Sequence, residues 1–220
     1  MAHSLPTGSH ECNCYKTKHR PKLVVLTGGP GGGKTAILEM ARRYFCQHVT
    51  ILPEAASIIF GGGFTRADSP GVKRAAQRAI FQVQRELERV ALEDHRSAVV
   101  LCDRGTLDGL AYWPGSGQSF FKEFGVTLKK ELARYSAVIH VEVPSEHSYE
   151  QDGLRKETGI EARAIDRRIA HAWRRHPRKM SVGAQAGFLD KLASAIELLR
   201  GEVPACCQTR LHATNRSTEV

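Results

Sequence analysis

Long apolar runs are missing from this 220-residue sequence: stretches such as Leu23 to Leu26 and Ala98 to Cys102 are only four or five residues, against roughly 20 for a membrane-spanning helix. No membrane span is expected. Residues 1–20 have no apolar core and are rich in His, Cys and Lys, so they do not read as a secretory signal, and a cytoplasmic location is the expectation. No nucleic-acid module or pattern of stacking aromatics accompanies the formal charge of +9, which argues against nucleic acid as a partner. The basic residues thicken instead in two segments, 73–89 and 163–179, as in a protein that gathers cations around phosphates. Cys-x-x-Cys spacing is also lacking. Of six cysteines, Cys12 and Cys14 (flanked by His10 and His19) and the adjacent Cys206 and Cys207 lack the usual zinc pattern, and Cys46 and Cys102 sit in apolar segments. Reduced thiols are the expectation.

What is present is alternation. Lys22–Thr27 is a β-branched run ending in glycines and reads as a fully buried strand. A helix follows from Lys34, then a strand at Val49–Leu52 halted by Pro53, a helix at Glu54–Phe60, and a breaker-rich loop at Gly61–Gly71. From Val72 to about Asp94 the period is helical, with Ala76, Ile80, Val83, Leu87 and Val90 as the apolar stripe and Arg74, Arg78, Arg85 and Arg89 on another face. Strands are expected at Ala98–Cys102, Ala137–Val143 and Lys179–Val182, with helices at 162–176 and near Ala186–Leu199. Alternating strands and helices imply an α/β fold with a five-stranded parallel sheet. One domain over 21–200 is expected, with a flexible arm at 1–20 and a tail at 201–220.

Gly28–Thr35 reads Gly-Gly-Pro-Gly-Gly-Gly-Lys-Thr between a buried strand and a helix. This matches the Walker A phosphate loop in the context that motif requires. Backbone N–H groups of Gly28, Gly29, Pro30 onward through Gly31, Gly32, Gly33 and Ala36 can wrap a phosphate, apart from proline, which has none. Lys34 would reach the β- and γ-phosphates, and the Thr35 hydroxyl would hold Mg²⁺. ATP is favoured over GTP because the guanine-reading Asn-Lys-x-Asp motif is missing, although GTP stays open.

The third strand ends Cys102-Asp103-Arg104-Gly105. A hydrolytic motor would place a second acid there; an arginine suits a site gripping a transferring phosphoryl group. Asp103 is expected beside magnesium, and Glu54, past the second strand, near an acceptor hydroxyl. Residues 152–163 are polar and glycine-bearing, and Arg163, Arg167, His171 and Arg174 follow at helical spacing. That pattern suits a lid closing on phosphates. Asp108 and Tyr112 could line the acceptor site or pack their helix, and Gly61–Gly63 could be a covering loop or a plain turn.

TGGPGGGKT at 27–35, PEAA at 53–56, DRGTLDGLAY at 103–112, RYSAVIHVEVP at 134–144 and WRRHP at 173–177 resemble a family of small bacterial P-loop proteins. Its members carry the label AAA-type ATPase and are related to the kinase domain of bacterial ribosylnicotinamide kinase. The resemblance spans residues 22–200 and implies a nucleoside- or nucleotide-kinase-like P-loop fold with a lid and phosphoryl transfer from Mg·ATP to a small acceptor. It implies catalytic positions at Lys34, Glu54, Asp103, Arg104 and the lid residue Arg155, with Thr35 and Asp103 at the metal. A base pocket typical of nucleoside kinases is not evident in the sequence, so the acceptor is not carried over. The competing reading is a nucleotide-dependent ATPase or GTPase switch with no small-molecule acceptor.

Overall fold

The computed structural model describes residues 19–144, 159–183 and 187–208. Strands β1 (Lys22–Thr27), β2 (Val49–Leu52), β3 (Val99–Asp103), β4 (Tyr135–Val141) and β5 (Lys179–Val182) form one sheet in the order β2-β3-β1-β4-β5. Every pairing is parallel. The helices are α1 (Lys34–Tyr44), α2 (Ala55–Gly61), α3 (Pro70–Glu93), α4 (Gly117–Phe124), α5 (Leu128–Leu132), α6 (Gly159–Ala172) and α7 (Phe188–Arg200), with 3₁₀ turns at Thr106–Ala111 and Ala205–Cys207. None of the described helices is long and apolar enough to cross a membrane.

The sheet is buried on both faces, which is why its strands read as continuous apolar runs. Val24 and Leu26 pack with Ile37, Leu38, Ile196 and Leu199 on the side of α1 and α7. Leu23 and Val25 face the opposite way, onto Leu107, Ile165, Ile169 and Trp173. Alternation along β1 therefore serves two cores rather than one core and solvent. The register sets Leu26 opposite Asp103 and Leu52 opposite Cys102, so the carboxyl ends of β1, β2 and β3 open on one edge.

Two expectations need correction. The buried face of α3 is Ala76, Gln77, Phe81, Gln84, Glu88 and Ala91, one position round from the apolar stripe, and Val90 is 58% exposed. Polar residues were excluded from the apolar pattern, yet Gln77, Gln84 and Glu88 lie inside, and partners await the last two: Gln84 donates to Glu88 at 2.8 Å, and Tyr135 Oη donates to Glu88 at 2.8 Å. Buried charge is tolerated when so paired. The domain also does not stop at residue 200. Glu202 is buried against Lys22 at 3.0 Å and Arg178, and Val203 and Cys207 join the core. The expected arm falls largely outside the described residues, as do the lid residues 152–158 and the end of the tail from 209.

The helix α3 starts at Pro70, two residues before the expected Val72, because Ser69 caps it by accepting a hydrogen bond from the Val72 N–H and Pro70 takes the first helical turn. The basic face of α3 is spent on ion pairs. Arg78 meets Glu123 at 2.8 Å, Arg85 meets Glu131 at 2.9 Å, and Arg89 bridges Glu86 and Glu93. These pairs neutralise much of what looked like a phosphate-facing surface.

Candidate active site

The loop between β1 and α1 leaves the sheet through Gly28, whose φ is +138°. A Cβ there would lie 2.1 Å from the Val141 carbonyl oxygen, so only glycine lets the loop pass this close to β4. Lys34 is 8% exposed, and its ammonium donates to the carbonyls of Gly28 at 3.0 Å and Gly29 at 2.8 Å. Burial, reinforced by the nearby Arg104 charge, lowers its pKa to about 7. A buried cation held only by carbonyl oxygens is poised for an anion.

Arg104 adopts φ +72°, a left-handed conformation that costs energy in a non-glycine residue. Its N–H donates to the Leu26 carbonyl at 3.0 Å. Its guanidinium donates to Glu54 Oε1 at 2.5 Å and to the Gly28 carbonyl at 3.1 Å, and lies 3.4 Å from Asp108 Oδ2. The strained backbone aims the side chain across the ends of β1 and β2. Glu54 caps the entry to α2 without a side-chain cap bond and instead accepts from Ser57 Oγ at 2.5 Å. Burial would raise its pKa, but the Arg104 charge and both hydrogen bonds prevail and hold it below the usual carboxylate value.

Asp103 differs. Its Oδ1 is buried with no hydrogen-bond partner among the described residues. Burial, with repulsion from Glu54, raises its pKa to about 6 despite Lys34 and Arg104. That unpaired buried carboxylate oxygen and the Thr35 hydroxyl border one cleft, a donor set suited to a hard divalent cation held partly through water. The residues therefore fit magnesium.

The cleft that joins these groups has a volume of about 520 Å³. Pro30, Gly31, Gly33, Lys34, Thr35 and Ala36 form one wall, with Glu54, Asp103 and Arg104 at the centre. The far wall is Phe60, Gln77, Phe81, Gln84 and Tyr112, with Arg66 stacked 4.1 Å over the Phe60 ring. These residues come from α2, α3 and the turn after β3, so no sequence motif groups them. The Gln77 side chain on that wall is 8% exposed. Phe188, 58% exposed, borders the cleft beside Gly33.

Asp108 borders the cleft too, but its oxygens are engaged. It accepts from Thr27 Oγ1 at 2.6 Å and from Trp173 Nε1 at 2.5 Å. Trp173 itself fits because Gly105 has no side chain: a Cβ would stand 2.7 Å from the indole. Asp108 thus packs and braces, whereas Tyr112 faces the cleft. Arg163, Arg167 and Arg168 do not line it, and Arg155 lies outside the described residues. Two residues escaped the sequence reading entirely. Asp166 Oδ1 accepts from the Gly29 N–H at 2.7 Å and bonds His140 Nε2 at 2.8 Å, while Oδ2 accepts from the Val143 N–H at 3.3 Å. Asp166 stands in no motif and His140 is one residue of the strand segment 134–144 with no role attached to it in sequence, so only their placement reveals them.

A family described as AAA domain matches residues 23–187. No curated protein matches the sequence. Among solved structures, the NadR protein in complex with NR is similar with TM-score 0.60 and 16% identity, covering 84% of this chain and 52% of that one. The chain therefore spans about half the length of NadR. Deoxyadenosine kinase from M. mycoides, with products dCMP and a flexible dCDP bound, aligns with TM-score 0.53 and 10% identity, over 81% of this chain and 99% of that one. At these identities the likeness is one of fold: a P-loop NTPase fold of the nucleoside-kinase type.

Proposed function

The chain belongs to the AAA domain family, and from that premise we propose that it is a phosphotransferase moving the γ-phosphoryl group of Mg·ATP to a hydroxyl-bearing acceptor of the nucleoside class. One observation carries the reading: the phosphate loop and the Glu54–Arg104 pair share a single cleft with an aromatic and amide wall. A switch needs the loop but has no use for that wall.

The division of labour follows from the chemistry. The loop N–H groups and Lys34 hold the phosphates, and the negative charge of the phosphates keeps Lys34 protonated. Thr35 and Asp103 would hold magnesium, which when bound neutralises charge building on the phosphate oxygens. Arg104, fixed by Glu54 and the Gly28 carbonyl, offers its guanidinium to the phosphoryl group in flight. Glu54 orients the acceptor hydroxyl; its depressed pKa makes it a weak base at neutral pH, so it accepts a proton late, as bonding to phosphorus acidifies the hydroxyl. Phe60 and Phe81 give a flat acceptor apolar contact, and Gln77 supplies donor and acceptor to its edge. Phe188 offers an exposed ring to the nucleotide base. Arg155 and Arg163 are the lid residues of this proposal, acting after closure.

The test is ADP release over a panel of nucleosides, sugars and aminoglycosides. Turnover on nucleosides with a phosphorylated product supports the reading. Hydrolysis of ATP that no acceptor accelerates would sink it and favour the switch.

A further inference from the structure

At the opposite edge of the sheet, where the strands begin, three separated segments bring sulfur and imidazole together. His19 precedes β1, Cys46 and His48 lie between α1 and β2, and Cys206 and Cys207 end the described C-terminal residues. The His19 Nε2 is 3.7 Å from Cys206 Sγ and 3.6 Å from Cys207 Sγ, and the two sulfurs are 3.8 Å apart. Cys46, His48 and Cys207 form a second group whose ligand atoms all lie within 4.8 Å of one another. None of these cysteines is in a disulfide.

Those spacings have a meaning. Four ligands around a tetrahedral zinc ion, at about 2.3 Å for sulfur and about 2.0 Å for nitrogen, stand about 3.8 Å apart for two sulfurs and about 3.5 Å apart for sulfur and nitrogen. The His19–Cys206–Cys207 triangle has nearly these edges, so it outlines one face of such a tetrahedron. Hydrogen bonding alone would not favour that arrangement, because thiols are weak donors and weak acceptors.

We propose that this cluster binds one zinc-type divalent ion through His19, Cys206, Cys207 and Cys46. Cys46 supplies the fourth ligand from the adjoining group: its sulfur lies within 4.8 Å of the Cys207 sulfur that the two groups share, a rotation of its side chain closes it on the triangle, and the His48 N–H that donates to it at 3.3 Å stabilises thiolate. His48 Nδ1, 3.5 Å from Cys46 Sγ, supports that sulfur from outside the set. Three ligands come from thiols that lose their protons on binding, so affinity rises with pH. The ion fastens both ends of the described domain to the α1–β2 connection. It lies away from the cleft, because parallel strands put their beginnings and ends on opposite edges. The spacing rule misses the site because its ligands are distant in sequence.

The experiment uses the full chain, reduced and stripped of metal, titrated with Zn²⁺ against a chromophoric chelator and separately with Co²⁺. One tight site per chain, thiolate-to-cobalt charge-transfer absorption and tetrahedral d–d bands are expected. Cys206→Ser, at an exposed position, should weaken zinc on the order of a hundredfold with unchanged circular dichroism and ATP affinity. Zinc should raise the melting temperature of the parent but not of this variant. Cys12→Ser/Cys14→Ser, whose positions lie outside the described residues, should keep the site. Absence of stoichiometric zinc, a cobalt spectrum without thiolate bands, loss of the site in the Cys12/Cys14 variant with retention in Cys206→Ser, or a disulfide among Cys46, Cys206 and Cys207 in the isolated protein would overturn the proposal.

Discussion

The Asp166 carboxylate of α6 accepts the Gly29 N–H of the phosphate loop at 2.7 Å. The same carboxylate bonds His140 and the Val143 N–H, so α6 is fastened to the loop and to the end of β4. Burial raises the Asp166 pKa, but these hydrogen bonds and the His140 interaction outweigh it and leave it below the ordinary value. The loop is therefore held in shape before any phosphate arrives.

Asp166→Asn should loosen that hold. Losing a charged acceptor from a partly buried N–H costs roughly 1–3 kcal/mol, so ATP affinity should fall on the order of tenfold while the fold persists. Calorimetric titration of the variant, paired with a melting curve, is the check; unchanged affinity would show that the loop holds its shape unaided.

Lys34 makes ATP binding pH-dependent. Its pKa is about 7 without nucleotide, and phosphate charge raises it. Between pH 7 and the ordinary lysine range the bound state carries the extra proton, so binding takes up protons and affinity falls as pH rises through that window. Titration in buffers of different ionisation enthalpy measures the uptake directly. Lys34→Ala should remove both the proton uptake and most of the affinity.

Asp103→Asn separates stability from metal binding. With its folded-state pKa raised from 3.8 to about 6, Asp103 binds more protons folded than unfolded between those values, so its contribution to stability falls as pH rises across that interval and its cost is complete at neutral pH. The variant should be as stable as the parent or more so, by up to ~2 kcal/mol, at pH 7.5 without nucleotide. Its ATP-dependent turnover should lose magnesium responsiveness. A variant that unfolds more readily, yet keeps the parent's magnesium response, would contradict both halves.

Glu54→Gln keeps the shape of the side chain but removes the charge that fixes Arg104. Phosphoryl transfer should drop on the order of a hundredfold with ATP affinity within twofold. Equal losses in affinity and transfer would instead mark the pair as a ground-state phosphate grip.

Gln77→Leu tests the acceptor wall. The substitution preserves bulk at a buried position while deleting the amide, so the acceptor KM should rise by about tenfold or more with the KM for ATP unchanged. Parallel steady-state titrations of both substrates read the split.

Much of the candidate site is local in sequence and was legible there. A phosphate loop needs a buried strand, glycines and a lysine in succession, and Gly28–Thr35 supplies them in order. Asp103 and Arg104 stand at the end of an unmistakable strand. The wall of Phe60, Gln77, Phe81 and Tyr112 was not legible as a unit, because its residues come from three separate elements and only Tyr112 stands near a motif. On α3 the apolar pattern pointed one position away from the true inner face, where Gln77, Gln84 and Glu88 are buried and Glu88 is held by the distant partners Tyr135 and Arg134.

The sequence by itself determined the alternation of strands and helices, the parallel sheet and the loop, because these depend on hydrophobic period and on backbone freedom at adjacent residues. Tertiary structure alone decided which polar groups were satisfied. Lys22 finds Glu202 across 180 residues, and Gly29 finds Asp166 across 137. It likewise decided that Asp103 keeps a buried oxygen unpaired and that His19 meets Cys206. Burial and pairing are properties of neighbours in space, and a carboxylate or thiol has the same appearance in a sequence whether it will brace a core, hold an ion or face water.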